Sequence, residues 1–214
     1  MTPALAALQS SWTTAWRGIG IATADDVLFT ALQSRYNEPH RAYHTLQHLA
    51  ECLTLLEQHV TNAERPAEVA LALWFHDAIY DVHAHDNEAL SADWARSALL
   101  DRGAAQDVAD RVHALVMATR HNAPLADRPD PDTALLVDID LSILGAEPAR
   151  FAEYEQQIRF EYAHVPAEVF APRRREILAH FLARTPIYRS PGLRAEREAQ
   201  AHRNLRAAIG AQVL

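Results

Sequence analysis

Residues 74–81 read WFHDAIYD, with His76 and Asp77 side by side in a run that is otherwise apolar. Burying an imidazole beside a carboxylate is costly unless something compensates both groups, and a divalent cation suits both ligand types. The pair therefore points to a bound metal. Upstream, RAYHTLQHLAECL sets His44 and His48 four residues apart, which stacks them on one face if the segment is helical. Two such imidazoles could serve as a ligand and an acid. Downstream, LLVDIDLSILG carries Asp138 and Asp140 in another apolar stretch, where a buried aspartate needs a partner. On a helix these two stand roughly 200° apart, so they cannot easily share one mononuclear site.

The elements that must position these groups read as helices. Apolar residues recur at three- and four-residue intervals almost throughout, and the alternation expected of strands is missing apart from short ambiguous runs. An all-α fold of about nine or ten helices follows, at roughly 4–18, 24–36, 43–60, 67–82, 86–101, 104–121, 132–144, 148–163, 166–184 and 193–209. Pro3, Pro66, Pro131 and Pro166 stand where first helical turns are expected, and Gly103 and Gly145 where C-caps are expected. Trp74, Phe75 and Tyr80 read as core or pocket wall. The run APRRREIL at 171–178 reads as a solvated helix face.

Composition narrows the function classes. The 214 residues can bury a sizeable core, and with no linker or charge block to divide them they read as one domain spanning 1–214. The formal net charge is −8 and all 20 basic residues are arginine. That balance argues against dedicated nucleic-acid binding but allows a local arginine to grip a phosphate. A single cysteine, Cys52, excludes an internal disulfide, and its place in LAECLTLL makes it a core residue. The N-terminal stretch MTPALAALQSSWTTAW lacks the basic and apolar regions of a signal peptide, and no apolar run approaches a membrane span. The expected location is the cytoplasm.

His44 and His48, then His76-Asp77, then a distant aspartate, in this order, resemble the HD superfamily of metal-dependent phosphohydrolases. More narrowly, YHTLQH, WFHDAIYD, DNEALSAD, DIDLSILG, IRFEYAHVP and LARTPIYRS are similar to strings of a largely uncharacterised bacterial subfamily of predicted HD phosphohydrolases. The resemblance runs from about Tyr36 to Tyr188. It implies a single HD-type helical bundle and a metal held by His48, His76, Asp77 and Asp140. Related cyclic-nucleotide phosphodiesterases carry a Tyr-His-x-x-x-His string whose first histidine donates a proton, which makes His44 the expected general acid. Asp140 matches the ligand aspartate of an Ala-Asp-Leu-Ser string in the same relatives, leaving Asp138 to orient a neighbour or cap.

Other roles follow from the same resemblance. Asp81, one turn beyond Asp77 on a continuous helix, is the expected base that orients the attacking water, or else it closes the helix. His121, in VMATRHNAP, is the best-placed candidate for a second metal or for substrate, ahead of His113, whereas His83 and His85 read as exposed loop residues. Arg41 and Arg159 could each fork onto a phosphate, or pair instead with Glu38 and with Glu155 or Glu161. The implied activity is hydrolysis of a nucleotide or other small phosphate ester by a metal-activated water. A site of imidazole and carboxylate suits Mn, Fe, Co, Ni, Mg or Zn without choosing among them. Two alternatives stay open: a dinuclear-iron HD oxygenase, and a non-catalytic metal or nucleotide sensor.

Overall fold

The structure is a computed structural model that describes residues 3–120 and 129–211. It is all-α, as the periodicity predicts, with no strand among the described residues. The helices are α1 (Pro3–Gly18), α2 (Asp26–Tyr36), α3 (Leu46–Gln58), α4 (Pro66–Phe75), α5 (Asn87–Asp101), α6 (Gln106–Met117), α7 (Pro131–Asp140), α8 (Pro148–Glu161), α9 (Ala167–Ala183) and α10 (Pro191–Ala211). Short 3-10 turns follow α3 at Val60–Asn62 and α7 at Leu141–Gly145. None of these helices is long and apolar enough to cross a membrane. The chain falls into two compact units, Met1–Val137 and Asp138–Leu214, and the division lies inside α7.

The first unit is built around α4. Its sequence PAEVALALWF is apolar on nearly every side, so a helix made of it can only be stable when covered all round. It packs against α1, α3, α5 and α6, and every residue from Glu68 to Phe75 is buried. Glu68, the one acid in that stretch, is met by Arg111, whose Nε and Nη2 donate to its two oxygens at 2.7 Å each. Pro66 opens the helix, where its missing N–H costs nothing. The backbone N–H groups of Glu64 and Arg65, just before that proline, donate to the buried carboxylate of Asp132.

Aromatic rings fill the space between α1, α2 and α4. Trp12 is fully buried and meets the rings of Trp16, Phe29, Trp74 and Phe75 at centroid distances of 5.4, 6.0, 5.2 and 6.4 Å. Trp74 and Phe75 are therefore core residues, as the sequence suggests. Gly103 ends α5 with φ +83°, and the Gly103 and Ala104 N–H groups bond back to the Leu100 and Leu99 carbonyls, the C-cap its position predicts.

In the second unit, α10 packs on α9 and on the Leu141–Gly145 turn, which α8 also touches. Gly145 departs from its expected role as a left-handed cap. A Cβ there would lie 2.7 Å from the Cβ and carbonyl oxygen of Arg197, so the glycine permits close approach of α10 to the turn. Asn204 donates from Nδ2 to the Leu144 and Ala146 carbonyls, and the Glu198 carboxylate accepts the Ile187 and Tyr188 N–H groups. The run 171–178 is not wholly solvated. Arg173 is exposed, but Arg174 turns inward to donate to Glu155 and lies 5.0 Å from the Tyr154 ring centroid.

Trp12 is the residue through which the aromatic cluster is joined. Trp12→Ala is expected to cost about 3–5 kcal/mol of unfolding free energy, as for other large aromatic-to-alanine changes in packed cores. Urea denaturation with an unchanged slope would measure it, and a loss below about 1 kcal/mol would contradict the packing described.

Candidate metal centre

Both segments that carry the chemistry stop being helical sooner than the sequence predicts. α3 begins at Leu46, not at 43, because Thr45 adopts an extended conformation and its side chain accepts the Gln47 N–H, a helix N-cap. His44 therefore precedes the helix, and its expected helical register with His48 is corrected. The two rings nonetheless lie 6.2 Å apart, and the Tyr43 ring lies 4.6 Å from that of His48.

α4 ends at Phe75, not near 82, so the His-Asp pair sits on the turn that leaves the helix. The cause lies in competing hydrogen bonds. The Leu73 carbonyl is held by His76 Nδ1 at 2.7 Å, and the Trp74 carbonyl accepts from Tyr36 Oη at 3.2 Å. Ile79 N–H, which a continuing helix would direct to Phe75, donates instead to Ser91 Oγ at 3.0 Å. Burial first, and then the Asp77 charge, push the Tyr36 phenol well above its ordinary range, so it serves here as a neutral donor.

Three donor atoms converge at this turn. His48 Nε2 and His76 Nε2 are 3.1 Å apart, His76 Nε2 and Asp77 Oδ2 3.0 Å, and His48 Nε2 and Asp77 Oδ2 3.6 Å. Ligands about 2.1 Å from one cation are separated by about 3.0 Å in octahedral and about 3.4 Å in tetrahedral geometry, so the triangle has the size of a coordination face. The hydrogen bonding fits as well. A His76 Nδ1 only 2.7 Å from a carbonyl must donate its hydrogen, which in the neutral ring leaves the Nε2 lone pair facing the Asp77 carboxylate. Two acceptors at that distance require positive charge between them, as a proton or as a metal ion.

Cys52 stands one helical turn after His48. His48, Cys52 and His76 are all buried and offer donor atoms within 4.8 Å of one another, a grouping that could hold a metal ion. The sulfur is 3.7 Å from both ring nitrogens of His48, which places it beside the ring and not along the Nε2 lone pair. An ion about 2.1 Å out on that axis would lie about 4 Å from Sγ, far beyond the about 2.3 Å of a zinc–thiolate bond. In this rotamer Cys52 packs against the His48 ring, in keeping with its reading as a core residue.

His44 is half-buried, with its ring stacked on Tyr80 at 4.1 Å and edge-on to Tyr43 at 4.9 Å. The contact with Tyr80 is legible only in three dimensions, since nothing in the sequence joins residue 80 to residue 44.

Arg41 is not a grip for phosphate. Its side chain is 0% exposed and its five N–H donors have protein acceptors: Nε and Nη2 donate to Glu38 Oε2, Nη1 to the His44 and Asp77 carbonyls, and Nη2 also to the Ala78 carbonyl. The Glu38 pairing is the alternative that the sequence offered. Partial burial pulls the Glu38 carboxyl upward, but hydrogen bonds from Arg35 and Arg41 outweigh it and hold the group below the usual carboxylate range.

The remaining candidates lie elsewhere. Asp81 is exposed in the turn after the site; its carboxylate accepts the His83 N–H and its backbone is fastened to the Asn87 side chain, so no helical register links it to Asp77. His83 and His85 are exposed, as expected. His113 pairs with the exposed Asp93 at 3.2 Å. His121 lies outside the described residues.

Asp138, Asp140 and Arg159 belong to the second unit. Asp140 ends α7. Asp138 is buried and accepts the Ser190 N–H, fastening α7 to the start of α10, and burial raises its carboxyl above the usual range. Arg159 donates to the Tyr162 and Val165 carbonyls and lies 4.7 Å from the Phe170 ring centroid, so it closes the end of α8.

No protein-family model, no curated protein and no solved structure matches the chain.

If the triangle binds a cation, His76→Ala and Asp77→Ala should each lose it. Titration of apo-protein with Mn²⁺ measures the loss directly. Chelator should lower the melting temperature of the parent and leave that of the two variants unchanged, because a bound ion stabilises only the folded state. Equal Mn²⁺ binding by parent and variants would remove the site.

Proposed function

We propose that this chain is a metal-dependent phosphohydrolase of the HD type, acting on a nucleotide or other small phosphate ester. The observation that carries the reading is the triangle of His48 Nε2, His76 Nε2 and Asp77 Oδ2, with edges of 3.1, 3.0 and 3.6 Å, formed by residues that the sequence resemblance names as ligands. A divalent ion held there would supply Lewis-acid chemistry, lowering the pKa of a water and neutralising phosphoryl charge.

The protein's own groups divide the remaining work. His76 is fixed in one tautomer by the Leu73 carbonyl, which keeps Nε2 available as a ligand. His44, held between Tyr80 and Tyr43, donates a proton to the departing oxygen, which suits an alkoxide leaving group. Arg41 takes no part in binding phosphate, because its donors are engaged. Asp140 stays in the ligand set on the likeness of IDLS.

Elemental analysis of the purified protein, followed by a phosphate-release screen over nucleotides and simple esters with the metal found, tests cofactor and reaction class together. Release of phosphate supports the reading. A protein that retains no divalent metal, or a metal-loaded one that turns over no ester, overturns it, and a coloured, iron-loaded protein would favour the oxygenase.

His44→Ala should keep most of its metal and lose turnover by about 10²–10⁴-fold, the usual range for a lost general acid. A nitrophenyl ester, whose leaving group hardly needs a proton, should lose much less. Equal losses on both kinds of ester would contradict the acid role.

The two aspartates of VDIDLSILG separate in a Mn²⁺ titration of Asp138→Asn and Asp140→Asn. Asp140→Asn should abolish binding, whereas Asp138→Asn should weaken it by at most about 10–100-fold. The opposite pattern would show the ligand assignment to be displaced by two residues.

A further inference from the structure

Beside the metal centre, Arg41 hydrogen-bonds to both segments that supply the chemistry. Its Nη1 donates to the His44 carbonyl at 3.3 Å and to the Asp77 carbonyl at 2.6 Å, and Nη2 reaches the Ala78 carbonyl at 3.2 Å. Residues 77 and 78 lie beyond the end of α4, and residue 44 lies before the start of α3. These carbonyls are therefore outside the helical ladders, and a buried donor is what satisfies them. The plane of the guanidinium is fixed in turn. Its central carbon lies 5.5 Å from the Tyr36 ring centroid and 5.4 Å from that of Tyr80, while Glu38 takes Nε and Nη2 along one edge.

We infer that Arg41 is a positioning residue for the metal centre: its planar fork sets the distance between the His44 turn and the His-Asp turn, and Glu38 and the two tyrosines hold the fork in register. The inference rests on the metal reading above and adds to it a specific dependence of ion affinity on a side chain that does not touch the ion. A charge-only role is a different matter, because Asp77 would then respond equally to any cation at residue 41. Lysine keeps the charge but has three donors on a flexible stem and no planar edge for Glu38, so Arg41→Lys separates geometry from charge.

The test is a Mn²⁺ titration of apo-protein for the parent, Arg41→Lys and Glu38→Gln, with circular dichroism to establish folding and electron paramagnetic resonance of the bound ion to report ligand geometry. Arg41→Lys should bind Mn²⁺ about 10–100-fold more weakly, the range seen when a group that orients metal ligands is removed, with an altered spectrum. Glu38→Gln, which leaves the guanidinium in place but weakens its anchor, should show a smaller loss in the same direction. A purely architectural Arg41 would lower melting temperature alone; folded variants that bind Mn²⁺ with parental affinity and spectrum overturn the inference. If Arg41→Lys does not fold, Glu38→Gln decides, with weakened binding in support and parental binding against. A parent that binds no Mn²⁺ brings down the metal reading itself, and this inference with it.

Discussion

A buried guanidinium cannot be left with unsatisfied donors, and in this protein that requirement ties the chemistry-bearing turns together. Arg41 has five N–H groups, no exposed surface and acceptors in Glu38 and three backbone carbonyls. The carbonyls need it as much as it needs them. Those of Asp77 and Ala78 have left the ladder of α4, and in a water-poor interior each would otherwise stand as a costly orphan. The turn that presents His76 and Asp77 is thus compatible with burial because an arginine from a different segment completes its hydrogen bonding.

The same logic explains where α4 stops. Its apolar body would favour a longer helix, and nothing in DAIYD forbids one. The end is imposed from outside, by Tyr36 on the Trp74 carbonyl, by the His76 ring on the Leu73 carbonyl and by Ser91 on the Ile79 N–H. Each of these removes an acceptor or donor that the next turn would have used. The result is a His-Asp pair whose side chains fold back toward His48, with one ring tautomer selected by the carbonyl it holds.

In the second unit buried polar groups again do the joining. Asp138, Glu198 and Asn204 accept from or donate to backbone groups of turns that have no regular partner, and Arg174 is drawn inward by Glu155. Burial alone would raise the carboxyl of Asp138, and the neighbouring N–H groups of Arg189 and Ser190 partly offset that rise. Asp138 is thereby placed as a tie between α7 and α10, in keeping with an orienting or capping role.

The all-α class, the number of helices, the prolines that open them and the apolar identity of α4 were legible in the sequence, because they depend on periodicity and on residues whose effect is local. So was the need of the His76-Asp77 pair for a compensating partner, since an acid and an imidazole in apolar surroundings demand one wherever they are placed, whereas His48 was indicated by the family resemblance. Tertiary structure decided the rest. The end of α4 at Phe75, the stacking of His44 on Tyr80 and the use of Arg41 as a tie depend on contacts between residues as far as 38 positions apart, Tyr36 to Trp74, whereas the start of α3 at Leu46 is set locally by the Thr45 cap. Helix ends are settled by whichever side chain reaches the last free carbonyl or N–H, and a sequence pattern records only which groups could compete, not which of them arrive.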